Sequence, residues 1–194
     1  SSDLKCVHFK MRGNIFDKEE GYTEQLMPYT ISALKGLLEV SLGEEVTFML
    51  APILAKDRNI NVVESTGEAQ TYKNTIEIEL ETEKESILLI GTITEEGRQR
   101  IVRVNDYWID FVPNGKILMF QNYDMPGVIG KIGTLLGEAG VNIANFALGR
   151  KNESGHALGV LEIDGEVDDK LMNKLIKSGD LLWETTVDFS GDIK

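Results

Sequence analysis

The stretch that decides the fold is KILMFQNYDMPGVIGKIGTLLGEAGVN, which occupies residues 116–142. Alternating residues predict a strand over 116–121, and an apolar stripe at helical spacing predicts a helix over 126–139. Pro126 suits the first position of that helix, where its missing N–H costs no hydrogen bond. Gly140 suits the left-handed residue that follows many helices. The stretch therefore predicts a strand, a polar turn, a helix and the start of a second strand.

The polar turn between this strand and this helix predicts a site for a small charged molecule. Backbone N–H groups at a helix start, together with the helix dipole, favour an anion such as a carboxylate. Asn122 and Asp124 lie beside them in the sequence and can bind an ammonium or a hydroxyl group. A small amino acid carries both kinds of group. The alternative is that Asp124 only caps the helix, and the residues alone leave both interpretations open.

Composition restricts the classes of partner. The chain has 194 residues, 42% of them hydrophobic, and a formal net charge of −12, and its length fits one large or two small domains. The acidic balance argues against nucleic acid and anionic membranes as partners. No apolar run approaches the ~20 residues of a membrane span, and no signal-peptide pattern is found. The single cysteine, Cys6, excludes an intramolecular disulfide and favours a reducing cytoplasm.

The region before residue 116 predicts an α/β unit with an antiparallel sheet. Its strictest alternation is TIEIELE at 75–81, with the isoleucines and the leucine facing inward and the glutamates outward. A short linker, VPNG at 112–115, predicts a boundary between domains at 1–114 and 115–194. The predicted elements are helices from 28–30 to 42 and over 52–58, and strands over 4–11, 61–64, 75–81, 86–94, 100–104 and 107–112.

The region after the linker has the element order βαββαβ, the split arrangement of a ferredoxin-like sandwich. The fold class predicted for the chain is therefore α+β, with two small α/β-sandwich domains. The predicted elements are strands over 116–121, 141–149, 156–163 and 182–187, and helices over 126–139 and 168–178.

Three segments of the sequence carry a resemblance to a known family. DMPGVIGKIGTLLGEAGVNIANFALGRK, at 124–151, resembles the opening of an ACT domain, most closely that of D-3-phosphoglycerate dehydrogenases. Its pattern is Asp-x-Pro-Gly, an apolar helix, Gly-Val-Asn-Ile and a Gly-Arg-Lys ending. TISALKGLLEVSLGEEVTFMLAPILAKDRNI at 30–60 and RQRIVRVNDYWIDFVPNG at 98–115 resemble the intervening, or allosteric-substrate-binding, domain of the same family. Together the resemblances cover nearly the whole chain.

The resemblance implies an effector site for L-serine, a feedback inhibitor, between two ACT domains whose sheets join edge to edge. Asn122 and Asp124 of one subunit would hold the ammonium and hydroxyl groups, and Asn142 of the partner subunit the opposite end. The family often has a histidine or tyrosine where Asn122 stands, and an asparagine or aspartate at Asp124. Ile143 would only line the pocket. The predicted site comprises Asn122, Asp124, Gly127, Val128, Asn142 and Ile143.

The resemblance also implies that this region belongs to a larger enzyme. The family oxidises 3-phosphoglycerate to 3-phosphohydroxypyruvate with NAD, the first committed step toward serine. This chain carries no nucleotide-binding or catalytic domain, and it opens with Ser1-Ser2-Asp3 rather than methionine. We therefore expect a cytoplasmic regulatory fragment with no catalytic residues and no cofactor of its own. It should form a dimer through ACT pairing and a tetramer in the parent enzyme.

Two arginines and three glycines have alternative explanations as a ligand site or as ordinary structure. Arg100 matches a basic position that lines a second, anionic-effector site in some family members, and Arg103 lies near it; a solvated strand face is the alternative. Gly127, Gly130 and Gly133 have GxxGxxG rather than GxGxxG spacing, which predicts close helix packing instead of a dinucleotide site.

No metal or nucleophile constellation is predicted. His8 and His156 lie far apart, without HxxxH or CxxC spacing, so we expect packed or hydrogen-bonded histidines and no metal site. An iron–sulfur L-serine dehydratase subunit would share both domain types, but its cluster needs several cysteines. A free-standing amino-acid sensor or oligomerisation module remains the alternative to a dehydrogenase fragment.

Overall fold

The computed structural model describes residues 4–16, 27–43, 45–151, 155–177 and 181–190. The chain forms two compact units, Ser1–Ile93 and Thr94–Lys194, and each is described by itself. The border between these units precedes the VPNG linker, and the domain boundary at 114–115 stays a prediction.

The first unit packs two helices against a four-stranded sheet. Its strands lie in the order β2-β1-β3-β4, in which only β1 and β2 are parallel. Val7 and Phe9 of β1 are buried with Leu34 and Leu38 of α1 in one apolar core. The elements are β1 Leu4–Arg12, a short 3-10 helix Asn14–Phe16, α1 Pro28–Leu42, α2 Ala51–Asp57, β2 Asn61–Gly67, β3 Thr75–Thr82 and β4 Ser86–Ile93.

The glutamates of TIEIELE form a ladder of ion pairs across the sheet. Ile78 and Leu80 pack against the core, as the alternation predicts. Arg12 donates to Glu77 over 2.6 Å, and Lys10 donates to Glu79 over 3.0 Å. Because β1 supplies a cation beside each of these two carboxylates, they are only partly exposed. The face opposite the core is therefore a charged surface with defined partners.

The second unit carries the predicted βαββαβ fold preceded by a hairpin. Its main sheet has the antiparallel order β10-β7-β9-β8, which confirms the ferredoxin-like arrangement and the α+β class. The core fills the space between this sheet and its two helices. The elements are β5 Gln99–Val104, β6 Tyr107–Phe111, β7 Lys116–Tyr123, α3 Val128–Glu138, β8 Asn142–Arg150, β9 His156–Asp164, α4 Asp169–Lys177 and β10 Leu181–Asp188.

Both faces of this sheet are covered. On the helix side, a Cβ at Gly159 would lie 2.2 Å from the ring of Phe120, so the absence of a side chain on β9 makes room for that ring. On the other side, a Cβ at Gly149 would lie 2.8 Å from the backbone oxygen of Trp108 in β6. Gln121 also donates to the Tyr107 hydroxyl over 2.6 Å. The β5–β6 hairpin therefore closes the face that carries no helix.

The start of α3 differs from the prediction, and its end agrees. The helix begins at Val128 rather than Pro126, because Pro126 and Gly127 form a tight turn in which Gly127 has φ +92°. Val128 N–H approaches the Met125 oxygen at 3.5 Å, and Pro-Gly is the preferred pair for a type II turn. At the other end, Gly140 is left-handed with φ +76°, and it closes the helix as predicted.

The packing role assigned to the helix glycines is wrong. A Cβ added at Gly130 or Gly133 would meet nothing within 4 Å. These glycines therefore leave one side of α3 without side chains instead of bringing the helix close to the sheet.

No helix among the described residues is long and apolar enough to cross a membrane.

Candidate functional site

The turn between β7 and α3 presents backbone groups and one carboxylate. The Asp124 N–H donates to the Gly155 oxygen over 2.8 Å, which holds the turn against the start of β9. No side chain among the described residues caps α3. The first N–H groups of a helix have no partner within the helix, and they lie at the positive end of its dipole. The turn therefore has the backbone groups that an anion requires, and the predicted anion site itself stays a prediction.

Asp124 does not cap the helix. Its carboxylate lies 3.3 Å from Nε of Arg150, with side chains that are 32% and 64% exposed. An ion pair this exposed contributes about 0–1 kcal/mol to stability, so replacing Arg150 by another cation as the partner of Asp124 costs little. Asp124 is therefore available to the ammonium group of a ligand.

Asn122 is buried rather than displayed on the surface. Only 2% of the residue is exposed, and its amide Nδ2 donates to the Tyr123 oxygen over 2.6 Å. Its Oδ1 is enclosed and has no hydrogen-bond partner within the described part of the chain. A buried acceptor without a donor costs about 1–3 kcal/mol. Direct contact between Asn122 and a ligand would require the turn to move.

Asn142 lies at the other end of the sheet. It begins β8, where it pairs with Asp164 of β9, and its Nδ2 donates to the Asp164 carboxylate over 3.0 Å. The turn residues lie beside the start of β9, because Asn122 pairs with Ala157. Strand β9 spans His156–Asp164, about 26 Å at ~3.3 Å per residue. One chain therefore does not bring Asn142 and the turn together.

The three remaining residues of the predicted site differ in their access to solvent. Val128 is a core residue, 4% exposed, and Ile143 is a partly buried residue packed against the same core. Gly127 is exposed at the turn. Of these three, only Gly127 presents its backbone to a ligand at the surface.

Arg150 lies beside the turn and Asp164 lies beside Asn142, and both are polar residues outside the predicted site. Arg150 ends β8 and pairs with Ala157, the same residue that Asn122 faces from the other side. The pairing of β8 with β9 is the sequence signal that could have identified Arg150. If residue 150 pairs with residue 157 and residue 157 pairs with residue 122, Arg150 and Asn122 lie in one row across the sheet.

The two arginines of the predicted anionic site lie on one strand face. Arg100 Nε donates to Asp110 over 2.5 Å, and the Arg103 guanidinium lies 5.2 Å from the ring centre of Trp108. Trp108 and Asp110 are two residues apart and both exposed, so they project from the same face of β6. Each arginine is engaged by a neighbour on its own hairpin, and an anion would have to compete with Asp110 for Arg100.

The two histidines have separate environments. His156 packs against Tyr123 with ring centres 5.4 Å apart. His8 Nε2 lies 3.3 Å from Cys6 Sγ and 3.3 Å from the Glu81 carboxylate. The Cys6-Val7-His8 spacing puts a thiol and an imidazole on the same face of a strand, and it is the sequence signal for this contact.

Models of two protein families match this sequence. One describes the D-3-phosphoglycerate dehydrogenase intervening domain and matches residues 2–105. The other describes the ACT domain and matches residues 116–180.

Several relatives that the chain resembles carry the name D-3-phosphoglycerate dehydrogenase. The protein of Methanocaldococcus jannaschii is 37% identical over 142 residues, which are 73% of this chain and 27% of the relative. That of Synechocystis sp. is 35% identical over 151 residues, 77% of this chain and 27% of the relative. That of Bacillus subtilis is 30% identical over 160 residues, 82% of this chain and 30% of the relative. The chain thus spans less than a third of the length of these relatives.

Proposed function

This chain belongs to the D-3-phosphoglycerate dehydrogenase family, and we propose that it is a regulatory region that binds L-serine between the ACT domains of two subunits. The parent enzyme would be a cytoplasmic, NAD-dependent oxidoreductase that acts on 3-phosphoglycerate in serine biosynthesis. L-Serine would then act as its feedback inhibitor. Neither NAD nor a catalytic residue is assigned to this chain.

The observation that carries the proposal is the separation of the two polar ends of strand β8. Asn142 begins β8 and Arg150 ends it, and β8 is an edge strand of its sheet. Phe146 lies midway between them and is 40% exposed. If two copies of β8 pair in antiparallel fashion about Phe146, each Asn142 faces Arg150 of the partner subunit. Two equivalent sites then form, one at each end of the joined strands.

The groups at each site match a zwitterionic amino acid. The N–H groups at the start of α3 and the Arg150 guanidinium suit the carboxylate. The Asp124 carboxylate suits the ammonium group, which replaces Arg150 as its partner. Asn142 of the partner subunit contacts the opposite end of the ligand. Since neither half of the site suffices, binding would depend on dimerisation.

The buried amide of Asn122 supports a link between binding and a change in the turn. Its buried Oδ1 has no hydrogen-bond donor among the described residues. A donor that reached this oxygen would remove the free-energy cost of leaving it unpaired. A ligand shifts a conformational equilibrium only as far as it prefers one of the two states. A turn conformation in which Asn122 reaches the ligand or a new donor would be such a state, and L-serine would favour it.

Calorimetric titration of the chain with L-serine tests the proposal, with glycine and D-serine as controls. We expect saturable, stereoselective binding that is lost in Asn142→Ala and in Asp124→Ala. Asp110→Ala, which removes a carboxylate from the hairpin but not from the turn, is the matched control and should bind normally. No heat at millimolar L-serine from a chain that sediments as a folded dimer would contradict the proposal.

A further inference from the structure

Three side chains that can ligate a metal ion converge on the charged face of the first unit's sheet. Cys6 and His8 project from one face of β1, and Glu81 of β3 is the residue paired with Cys6. The Cys6 sulfur lies 3.3 Å from His8 Nε2, and the same nitrogen lies 3.3 Å from Glu81 Oε1. All three ligand atoms lie within 4.8 Å of one another.

These distances are close to those of a tetrahedral zinc centre. Zinc binds sulfur at about 2.3 Å and histidine nitrogen or carboxylate oxygen at about 2.0–2.2 Å, so its ligand atoms lie roughly 3.3–3.6 Å apart. The two separations of 3.3 Å lie at the lower end of that range. The sulfur-to-oxygen separation is below 4.8 Å, and a rotation of the Glu81 side chain, which is 46% exposed, would bring its oxygen closer to the sulfur.

We propose that Cys6, His8 and Glu81 form a binding site for a zinc-class divalent cation, with the fourth position open to solvent. A thiolate, an imidazole and a carboxylate suit a borderline ion rather than calcium or magnesium, which prefer oxygen ligands alone. Cys6 is 8% exposed, whereas the side chains of His8 and Glu81 are 27% and 46% exposed. The sulfur therefore forms the floor of the site, and the ion enters from the solvent side.

The neighbouring strand supplies support for the sulfur ligand. Asn61 of β2 pairs with Cys6, and its amide Nδ2 lies 3.5 Å from the sulfur. A donor beside a metal-bound thiolate stabilises its charge and fixes its position. Three adjacent strands thus hold the site, and the sheet fixes its geometry before any ion arrives.

The thiol must lose a proton when the ion binds. Burial is the main cause that raises the pKa of the Cys6 thiol, and the Glu81 carboxylate is the second. Hydrogen bonds from Asn61 and the Val7 backbone lower this pKa, and the more distant Glu79 carboxylate raises it by a smaller amount. In the absence of metal the thiol is therefore protonated at neutral pH. Binding of the ion therefore displaces this proton from the sulfur.

Titration with Co²⁺, followed by absorption spectroscopy and competition with Zn²⁺, tests the site. We expect one ion per chain, a thiolate-to-cobalt charge-transfer band in the near ultraviolet, and its loss on adding zinc. Cys6→Ser should abolish the band, and Glu81→Gln should weaken binding by at least ~10-fold. Glu77→Gln removes a carboxylate from the same ladder without removing a ligand, so it is the matched control and should bind normally.

Three results would overturn the proposal: no band in the unmodified chain, a band that persists in Cys6→Ser, or equal weakening in Glu77→Gln. A second measurement needs no variant and applies even if Cys6→Ser fails to fold. At a zinc concentration of ten times its Kd, alkylation of the Cys6 thiol in the unmodified chain should slow by about 10-fold, because only the metal-free thiol reacts. An unchanged alkylation rate would also refute the site. The contact between His8 and Glu81 would then be only the last of the side-chain pairs between β1 and β3.

Discussion

Replacing Gly127 with alanine tests the backbone conformation of the turn in the proposed effector site. Gly127 has φ +92°, and an added Cβ would meet nothing within 4 Å. The cost of the substitution is therefore conformational rather than steric, about 1–2 kcal/mol for an L-residue in a left-handed conformation. We expect Gly127→Ala to lower the free energy of unfolding by that amount.

Gly130→Ala is the control for this substitution. It lies three residues further along, inside α3, and its Cβ would also meet nothing within 4 Å. Its backbone is helical, however, so alanine should stabilise the chain by about 1 kcal/mol. The two variants should therefore differ by roughly 2–3 kcal/mol in urea-induced unfolding. Equal stability would refute the turn geometry, because it would mean that Gly127 is not held at positive φ.

Three further predictions concern the core, the ion-pair ladder and the turn. Gly159→Ala should destabilise the chain by about 1–3 kcal/mol through overlap with Phe120, and Phe120→Leu in the same chain should recover part of that loss in a double-mutant cycle of urea unfolding. A hydrogen bond from Lys10 lowers the pKa of the Glu79 carboxyl, so its contribution to stability is present at neutral pH and lost as pH falls through that lowered pKa. Glu79→Gln should therefore unfold more easily than the unmodified chain at pH 7, and equally easily in strong acid; a difference that grows in acid would contradict the assignment. Arg150→Ala should change the free energy of unfolding by no more than about 1 kcal/mol but weaken L-serine binding in calorimetry, and unaltered binding would remove Arg150 from the site.

The element order could be predicted from the sequence because its periodicities are long and unambiguous. The alternation in TIEIELE and the apolar stripe of α3 each identify an element without knowledge of the rest. The start of α3 was harder to predict, because Pro126 satisfies two local rules at once. It suits a first helical position, and it suits a type II turn when glycine follows. The Pro-Gly pair forms the turn, which moves the helix start to Val128.

The candidate site was predicted less completely than the fold. Its groups are brought together by the register of the paired strands and not by their spacing along the sequence. Asp124 and Asn142 could be selected from their motifs. Selecting Arg150 as the partner of Asp124 required the register of β8, β9 and β7, because only the pairing of these strands brings the two residues together. Burial of Asn122 was missed for a similar reason, as a polar residue near a predicted turn gives no sign that it lies inside the core. Cys6 and His8 were considered singly, although their spacing on one strand brings them together.

Complementation between two inactive variants tests the central claim most directly. Asp124→Ala and Asn142→Ala should each fail to bind L-serine alone. If each site takes its turn from one subunit and Asn142 from the other, a mixed dimer of the two variants has one site with both residues intact and one site that lacks both. After the variants are mixed and allowed to exchange subunits, calorimetry should therefore show L-serine binding at about half a site per chain in the mixed dimers. A mixture that exchanges subunits and still binds no L-serine would contradict a site shared between two ACT domains.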